Sequence, residues 1–226
     1  MDTEVAQIVL GAISVIAAAT WLIGLRFLLS SARNGGPSEG DSHGLVDSEV
    51  SPTRRLAGGA EIEGEASSLA AKAASLLAKG TVVPFVPLKI VEKTEDHIRF
   101  EVIVSDGTSR SGVGYFRKGQ LWFTPLGQGR TRVEWAVELA DRDWLLWLGG
   151  LFQVLGLIAL VAGCWVISTF VVMSPDPSQR WQTFQMLQVS HFLWPPFLFG
   201  ALYQRGRQVI AARFEALAHN LPYFGD

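Results

Sequence analysis

Two long stretches without a charged residue constrain the fold of this chain more than any other feature. The first runs from Val5 to Leu25 and the second from Trp144 to Met173. About 20 apolar residues in a helix span the hydrocarbon core of a bilayer, which is roughly 30 Å thick. A helix of a soluble protein carries a polar face, and neither stretch has one. The sequence therefore predicts transmembrane helices at 1–30 and 144–173.

The first stretch is predicted to be an uncleaved anchor. Signal peptides begin with positively charged residues, whereas here Asp2 and Glu4 precede the apolar residues and Arg26 and Arg33 follow them.

A third apolar stretch extends over residues 186–203 but contains Pro195 and Pro196. Proline removes a backbone donor and clashes with the preceding helical turn. We therefore expect a third transmembrane helix kinked at Pro195-Pro196, with a re-entrant segment as the alternative. Residues 174–185 are then an outer loop.

Residues 204–226 are predicted to form an amphipathic helix. Its apolar stripe contains Ile210, Phe214, Leu217 and Leu221, which recur at helical spacing. Three placements are open: the helix extends the third span, lies on the membrane surface, or packs on the region between the first two spans.

Arginines near the spans predict the orientation, because Lys and Arg are enriched in cytoplasmic loops. Only Arg180 lies on the side that contains the 174–185 loop. The opposite side has six arginines: Arg26, Arg33, Arg142, Arg205, Arg207 and Arg213. We expect the amino terminus outside, and the region between the first two spans and the carboxyl terminus in the cytoplasm.

The region between the first two spans begins with a predicted flexible linker at 31–59, which is rich in Gly, Ser and Pro. From Ala60 the acidic residues alternate with small or apolar ones, which predicts a half-exposed strand. A helical stripe follows, formed by Leu69, Ala73, Leu76 and Leu77.

Further short strands are predicted from the alternation of apolar and polar residues. They are Leu88–Glu92, Ile98–Val104, Val113–Arg117, Leu121–Thr124 and Thr131–Leu139, with Lys118-Gly119 as a hairpin turn. The fold class is therefore α+β: three transmembrane helices and a small cytoplasmic module at 60–143, in which a helix packs on an antiparallel sheet.

This order of elements, ending in the segment GQGRTRVEWAVEL at 127–139, resembles the START-like (polyketide-cyclase-type) lipid-binding superfamily over residues 59–139. The resemblance implies a curved sheet that grips a long carboxyl-terminal helix over an apolar cavity. After Asp141 the second apolar stretch follows in place of that helix, and the 204–226 helix is the candidate to replace it.

The resemblance also implies a ligand. The side chains that would line the pocket are Ile98, Phe100, Val102, Val133, Trp135 and Val137.

We find no signature of catalysis or of metal binding in the sequence. Walker A, GxGxxG, GxSxG, HExxH and CxxC patterns are absent, no two of the four histidines have ligand spacing, and Cys164 is the single cysteine. The formal net charge of -2 gives no basic footprint for nucleic acid. We expect no catalytic residue, no metal, no cofactor and no nucleic-acid partner.

Three glycines, Gly149, Gly156 and Gly163, recur every seven residues on one face of the second span. Small residues let helices approach closely in lipid. This face packs either against the chain's own spans or against a second copy or another membrane protein.

Two functions follow from these features. The first is a non-enzymatic membrane anchor or accessory protein that holds the α+β module at the cytoplasmic face of the lipid bilayer. The alternative is a membrane-tethered START-like binder of a lipid or another apolar ligand.

Overall fold

The chain forms two compact units in a computed structural model that describes residues 1–33, 55–80, 88–103, 116–140 and 143–224. We call Met1–Ala32 with Asp143–Tyr203 the apolar unit, and Arg33–Arg142 with Gln204–Asp226 the module. Each unit therefore combines residues that are far apart in the sequence.

The elements follow one another in a simple order. They are α1 (Thr3–Arg33), β1 (Arg55–Glu63), α2 (Ala66–Ala78), β2 (Leu88–Lys93), β3 (His97–Val102), β4 (Phe116–Gly127), β5 (Arg130–Leu139), α3 (Asp143–Val166) with a π-helical continuation (Ile167–Val172), a 3-10 helix (Pro177–Val189), α4 (Ser190–Leu193), α5 (Pro195–Asn220) and a short 3-10 turn (Leu221–Tyr223).

Two helices of the apolar unit are long and apolar enough to cross a membrane, judged by length and composition. They are Thr3–Arg33 and Asp143–Val172, which cover the first two predicted spans. Only 11% and 17% of their most apolar windows are buried within the chain, so most of their apolar surface faces outward.

The prediction of a third apolar helix over 186–203 is wrong. These residues belong to the end of the 3-10 helix, to α4 and to the first part of α5. The break falls at Trp194, because Pro195 and Pro196 cannot donate to the preceding turn and are accommodated instead in the first turn of a new helix.

Two neighbouring boundaries also change. The predicted outer loop at 174–185 contains most of the 3-10 helix, and the predicted helix at 204–226 is the second part of α5, which begins at Pro195 and ends at Asn220.

The module is built on a five-stranded antiparallel sheet with the order β1-β5-β4-β3-β2. The first strand pairs with the last, so that Ala60 lies opposite Val133. Helix α2 covers one face, where Leu69, Ala73 and Leu77 are buried against the sheet as predicted. The predicted α+β class, a helix on an antiparallel sheet, is confirmed.

The predicted turn at Lys118-Gly119 is wrong, because β4 runs through both residues. Gly119 lies opposite Phe100 on β3, and a Cβ atom at Gly119 would overlap the Phe100 ring. This glycine therefore marks the close approach of an aromatic ring within a strand, not a chain reversal.

The predicted linker at 31–59 extends too far at its carboxyl end, because a glycine there also lies within a strand beneath an aromatic ring. Strand β1 begins at Arg55, and a Cβ atom at Gly58 would lie 2.6 Å from Cζ2 of Trp135 on β5. Residues 31–33 belong to α1. The rest of the predicted linker, 34–54, lies outside the described residues.

The second part of α5 completes the module's core. Ile210, Phe214, Leu217 and Leu221 are buried in one cluster with the sheet and α2. The ring of Phe214 lies 5.7 Å from Phe100 and 5.5 Å from Trp135, centroid to centroid, and stacks on both. Of the three placements open for this helix, the structure shows two: α5 continues from the third apolar stretch, and its second part packs on the module.

Phe214→Ala tests this arrangement. Removing a fully buried ring that contacts two strands costs about 3–5 kcal/mol, so the free energy of unfolding of the full chain in detergent is expected to fall by that amount in urea titrations. Phe224→Ala is the matched control, because Phe224 is exposed. A loss below about 1 kcal/mol for Phe214→Ala would contradict the packing.

Candidate functional site

The six residues predicted to line a pocket lie together on the face of the sheet that α2 and α5 cover. Five of them are at most 2% exposed, and Val102 is partly buried against the same cluster. Phe100 and Trp135 contact the Phe214 ring directly. The structure thus brings the predicted residues together as the core beneath α5.

One polar atom is buried in this apolar set. The indole Nε1 of Trp135 has no hydrogen-bond partner among the described residues. Buried indole N–H groups usually have a partner, and leaving one without a partner is unfavourable. The N–H group is therefore available to a carbonyl, carboxylate or hydroxyl oxygen.

The Gly-x-Gly-x-Thr segment that carries the resemblance has a structural role. Gly127, Gln128 and Gly129 all have positive φ angles and reverse the chain between β4 and β5. The Thr131 hydroxyl then donates to the carbonyl oxygen of Gly64 at 2.7 Å. This bond ties β5 to the turn that precedes α2.

The module also carries ion pairs between neighbouring strands. Arg132 donates to Glu61 at 2.7 Å, which holds the pKa of the Glu61 carboxyl below its usual value. Any stability from this pair is present above the unfolded-state pKa of Glu61 and is lost as the pH falls through the lower folded-state pKa. Both side chains are exposed, so the contribution is small.

In the apolar unit, a reciprocal pair of hydrogen bonds joins α1 to α3. The Trp21 indole donates to the backbone oxygen of Gln153 at 2.7 Å, and the Gln153 amide donates to the backbone oxygen of Trp21 at 2.5 Å. Gln153 is only 4% exposed. Its amide thus links the two helices.

The three glycines of α3 contact side chains of the same chain. An added Cβ would lie 2.7 Å from Leu28 at Gly149, 3.3 Å from Leu193 at Gly156 and 2.8 Å from Met186 at Gly163. Of the two readings left open, the structure shows packing within the chain at all three positions.

An open groove of about 710 Å³ lies between α1 and the end of α3. Its wall is largely apolar, and its polar side chains are Gln7, Ser14, Ser168 and Thr169. Cys164, which also lines it, shares a hydrogen bond of 3.1 Å with Ser14. The volume is within the range of small-molecule sites, and its available chemistry is hydrogen bonding by neutral groups.

The 3-10 helix presents three faces, because side chains three residues apart eclipse one another in this helix. The buried face consists of Thr183, Met186 and Val189. The second face is exposed and apolar and consists of Trp181, Phe184 and Leu187. The third face carries only side-chain amides: Gln179, Gln182, Gln185 and Gln188.

We call the third set the glutamine face. This face was not predicted, because the residue periods typical of α-helices and β-strands do not include a repeat of three. The signal was present as glutamine at every third position from 179 to 188.

Among the described residues, no group of three or more His, Cys, Asp or Glu side chains is placed to hold a metal ion.

No protein-family model and no curated protein matches this sequence. Among solved structures, the chain is similar to TTHA0849 from Thermus thermophilus, with 16% identity, a TM-score of 0.25, and coverage of 62% of this chain and 96% of that one. It is also similar to the Zhui aromatase/cyclase from Streptomyces sp. R1128, with 13% identity, a TM-score of 0.24, and coverage of 70% and 97%.

A third similar structure is the di-domain ARO/CYC BexL from the BE-7585A biosynthetic pathway, with 8% identity, a TM-score of 0.24, and coverage of 65% of this chain and 49% of that one. At such scores these neighbours carry no argument about this chain, so the description of its fold depends on the sheet order and on α5.

Substitutions at adjacent glycines test the α1–α3 contact. Gly149→Leu places a side chain against Leu28 and is expected to lower the free energy of unfolding by about 1–3 kcal/mol through overpacking. Gly150→Leu is the control, since nothing lies within 4 Å of a Cβ atom there. Unfolding by SDS titration measures both, and equal effects would contradict the contact.

Proposed function

We propose that this chain is an integral membrane protein whose apolar unit anchors a START-like module at the cytoplasmic face of the bilayer. Its role is positional: the module is held beside the membrane as an anchor or accessory component. The single observation that carries the proposal is that the second part of α5 completes the module's core although it follows the apolar residues Asp143–Tyr203 in the sequence.

The chain order leads to a count of crossings. Strand β5 ends at Leu139, and Ile210–Leu221 packs in the same core as β5. Both must lie on one side of a membrane. If α3 crosses the bilayer, then the chain must cross back between Val172 and Gln204.

The returning residues are long enough for this crossing without a third apolar helix. The 13 residues of the 3-10 helix extend about 26 Å at roughly 2.0 Å per residue. The following helical residues up to Tyr203 add about 21 Å at 1.5 Å per residue. The hydrocarbon core is roughly 30 Å thick.

The outward surface of the apolar unit supports contact with lipid. Ile8, Val15, Ile158 and Val161 are each more than half exposed. A core helix of a soluble protein would bury such side chains, so these surfaces need an apolar environment that the chain itself does not supply.

The orientation follows from the arginines. Of the seven arginines near the ends of the spans, six are on the same side of the proposed membrane as the module, and Arg180 is on the opposite side. This distribution favours a cytoplasmic location for the module and the carboxyl terminus.

Single cysteines in a Cys164→Ala background test the proposal. We expect an impermeant maleimide to label Ser178→Cys in intact cells, and to label Lys89→Cys and His219→Cys only after lysis. All three positions are exposed in the structure. Labelling of His219→Cys but not Lys89→Cys in intact cells, or release of the protein by alkaline washing, would contradict the proposal.

The Trp135 N–H group favours a second candidate function, the binding of an amphiphile with an oxygen acceptor by the module. A ligand would lie between α5 and the sheet and would accept this hydrogen bond. Such binding requires α5 to move, because the Phe214 ring now stacks on Trp135.

Trp135→Phe tests this second function, since it keeps a ring and removes the N–H group. Loss of one hydrogen bond of about 1 kcal/mol reduces affinity about fivefold, so native mass spectrometry of the full chain is expected to show correspondingly less retained amphiphile. Trp122→Phe is the control, because Trp122 stacks on His97 outside the core cluster. Wild-type protein that retains no amphiphile would exclude this function.

A further inference from the structure

The glutamine face lies beside residues that pack deep along α3. Met186 and Val189, on the buried face of the same 3-10 helix, approach Gly163. Gly163 is about 14 Å from Val172 along the helix axis at 1.5 Å per residue. If Val172 lies at the boundary of a hydrocarbon core roughly 30 Å thick, as the proposed function requires, Gln185 and Gln188 are near the middle of the membrane.

The side-chain amides at this depth have no hydrogen-bond partner among the described residues. Gln182, Gln185 and Gln188 are exposed, and none of their side chains makes a hydrogen bond within that part of the chain. Each amide has two donor hydrogens and an acceptor oxygen, and hydrocarbon supplies no partner for either. Gln153 contrasts with them, because it is buried and bonded to Trp21.

The geometry points to a second copy of this chain as the occupant of the glutamine face. We propose that two copies pair within the bilayer, with the glutamine face of one against that of the other. This inference depends on the proposed function, because it requires the 3-10 helix to lie in the membrane.

Hydrogen-bond complementarity selects this occupant. An amide is both donor and acceptor, so a row of amides is complementary to itself, and a two-fold interface joins identical surfaces. The three-residue period keeps the amides in line, about 6 Å apart at 2.0 Å per residue. Lipid chains cannot make these bonds, whereas glutamine side chains do bond between helices in membranes.

Disulfide cross-linking in native membranes is the first test. In a Cys164→Ala background, Gln185→Cys is expected to form a covalent dimer on mild oxidation. Ile16→Cys is the control: it is exposed on α1 and is expected to cross-link at least about fivefold less. Equal yields from the two positions would overturn the proposal.

Substitution of the amides is the second test. The triple variant Gln182→Leu, Gln185→Leu and Gln188→Leu is expected to raise the dimer dissociation constant in liposomes at least about tenfold, because several interhelical hydrogen bonds are lost. Gln7→Leu is the control and is expected to dimerise like the wild type. Circular dichroism checks that the triple variant is folded, since its changes lie on an exposed face.

The outcomes separate this inference from the proposed function. If maleimide labelling of Ser178→Cys and Lys89→Cys shows that the chain does not cross the membrane, both fail together. If labelling gives the expected topology but the wild type is monomeric in liposomes, only the pairing is overturned. A Gln188→Cys variant that reacts with water-soluble reagents as fast as Ser178→Cys would also overturn it, because the face would then contact water.

Discussion

The stacking of Phe214 between Phe100 and Trp135 is the contact on which the rest of this structure depends. It joins a helix encoded at the end of the chain to strands encoded near the middle. Without it, one face of the sheet would expose several large apolar side chains that are now fully buried. With it, residues Asp143–Tyr203 of the apolar unit become an insertion between the last strand of the module and the second part of α5. In the proposed topology, this order sets the number of membrane crossings.

The sequence predicted those parts of the module in which neighbouring residues carry the signal. Alternation located β3 and β5, and helical spacing found the stripe of Ile210, Phe214 and Leu217, all of which are buried as expected. The six residues that were predicted to line a pocket also lie together beneath α5. The sequence could not say which of three surfaces the stripe covers, because its partner Phe100 lies more than a hundred residues away and no local pattern identifies it.

Two glycine positions show why other boundaries failed. Gly58 and Gly119 were interpreted as part of a linker and as a turn, yet each lies in a strand beneath an aromatic ring. Glycine favours turns only in the absence of a stronger requirement, and here the rings of Trp135 and Phe100 require a residue without a side chain. The prediction of a third apolar helix failed for a different reason. Average hydropathy does not distinguish a fully apolar helix from a helix with one polar face. The glutamines at every third position become visible only when each face of the 3-10 helix is considered separately.

The insertion also determines when the module can finish folding. Arg207 donates to the backbone oxygen of Arg55 across 152 residues of sequence, and the core needs β1, β5 and the second part of α5 together. Such distant contacts form slowly, because the intervening chain must be ordered first. In the proposed topology, the intervening chain includes two crossings, by α3 and by the residues between Val172 and Gln204. In that topology, the apolar residues that α5 covers stay exposed until the segment Asp143–Tyr203 has been inserted, so completion of the module's core depends on correct insertion.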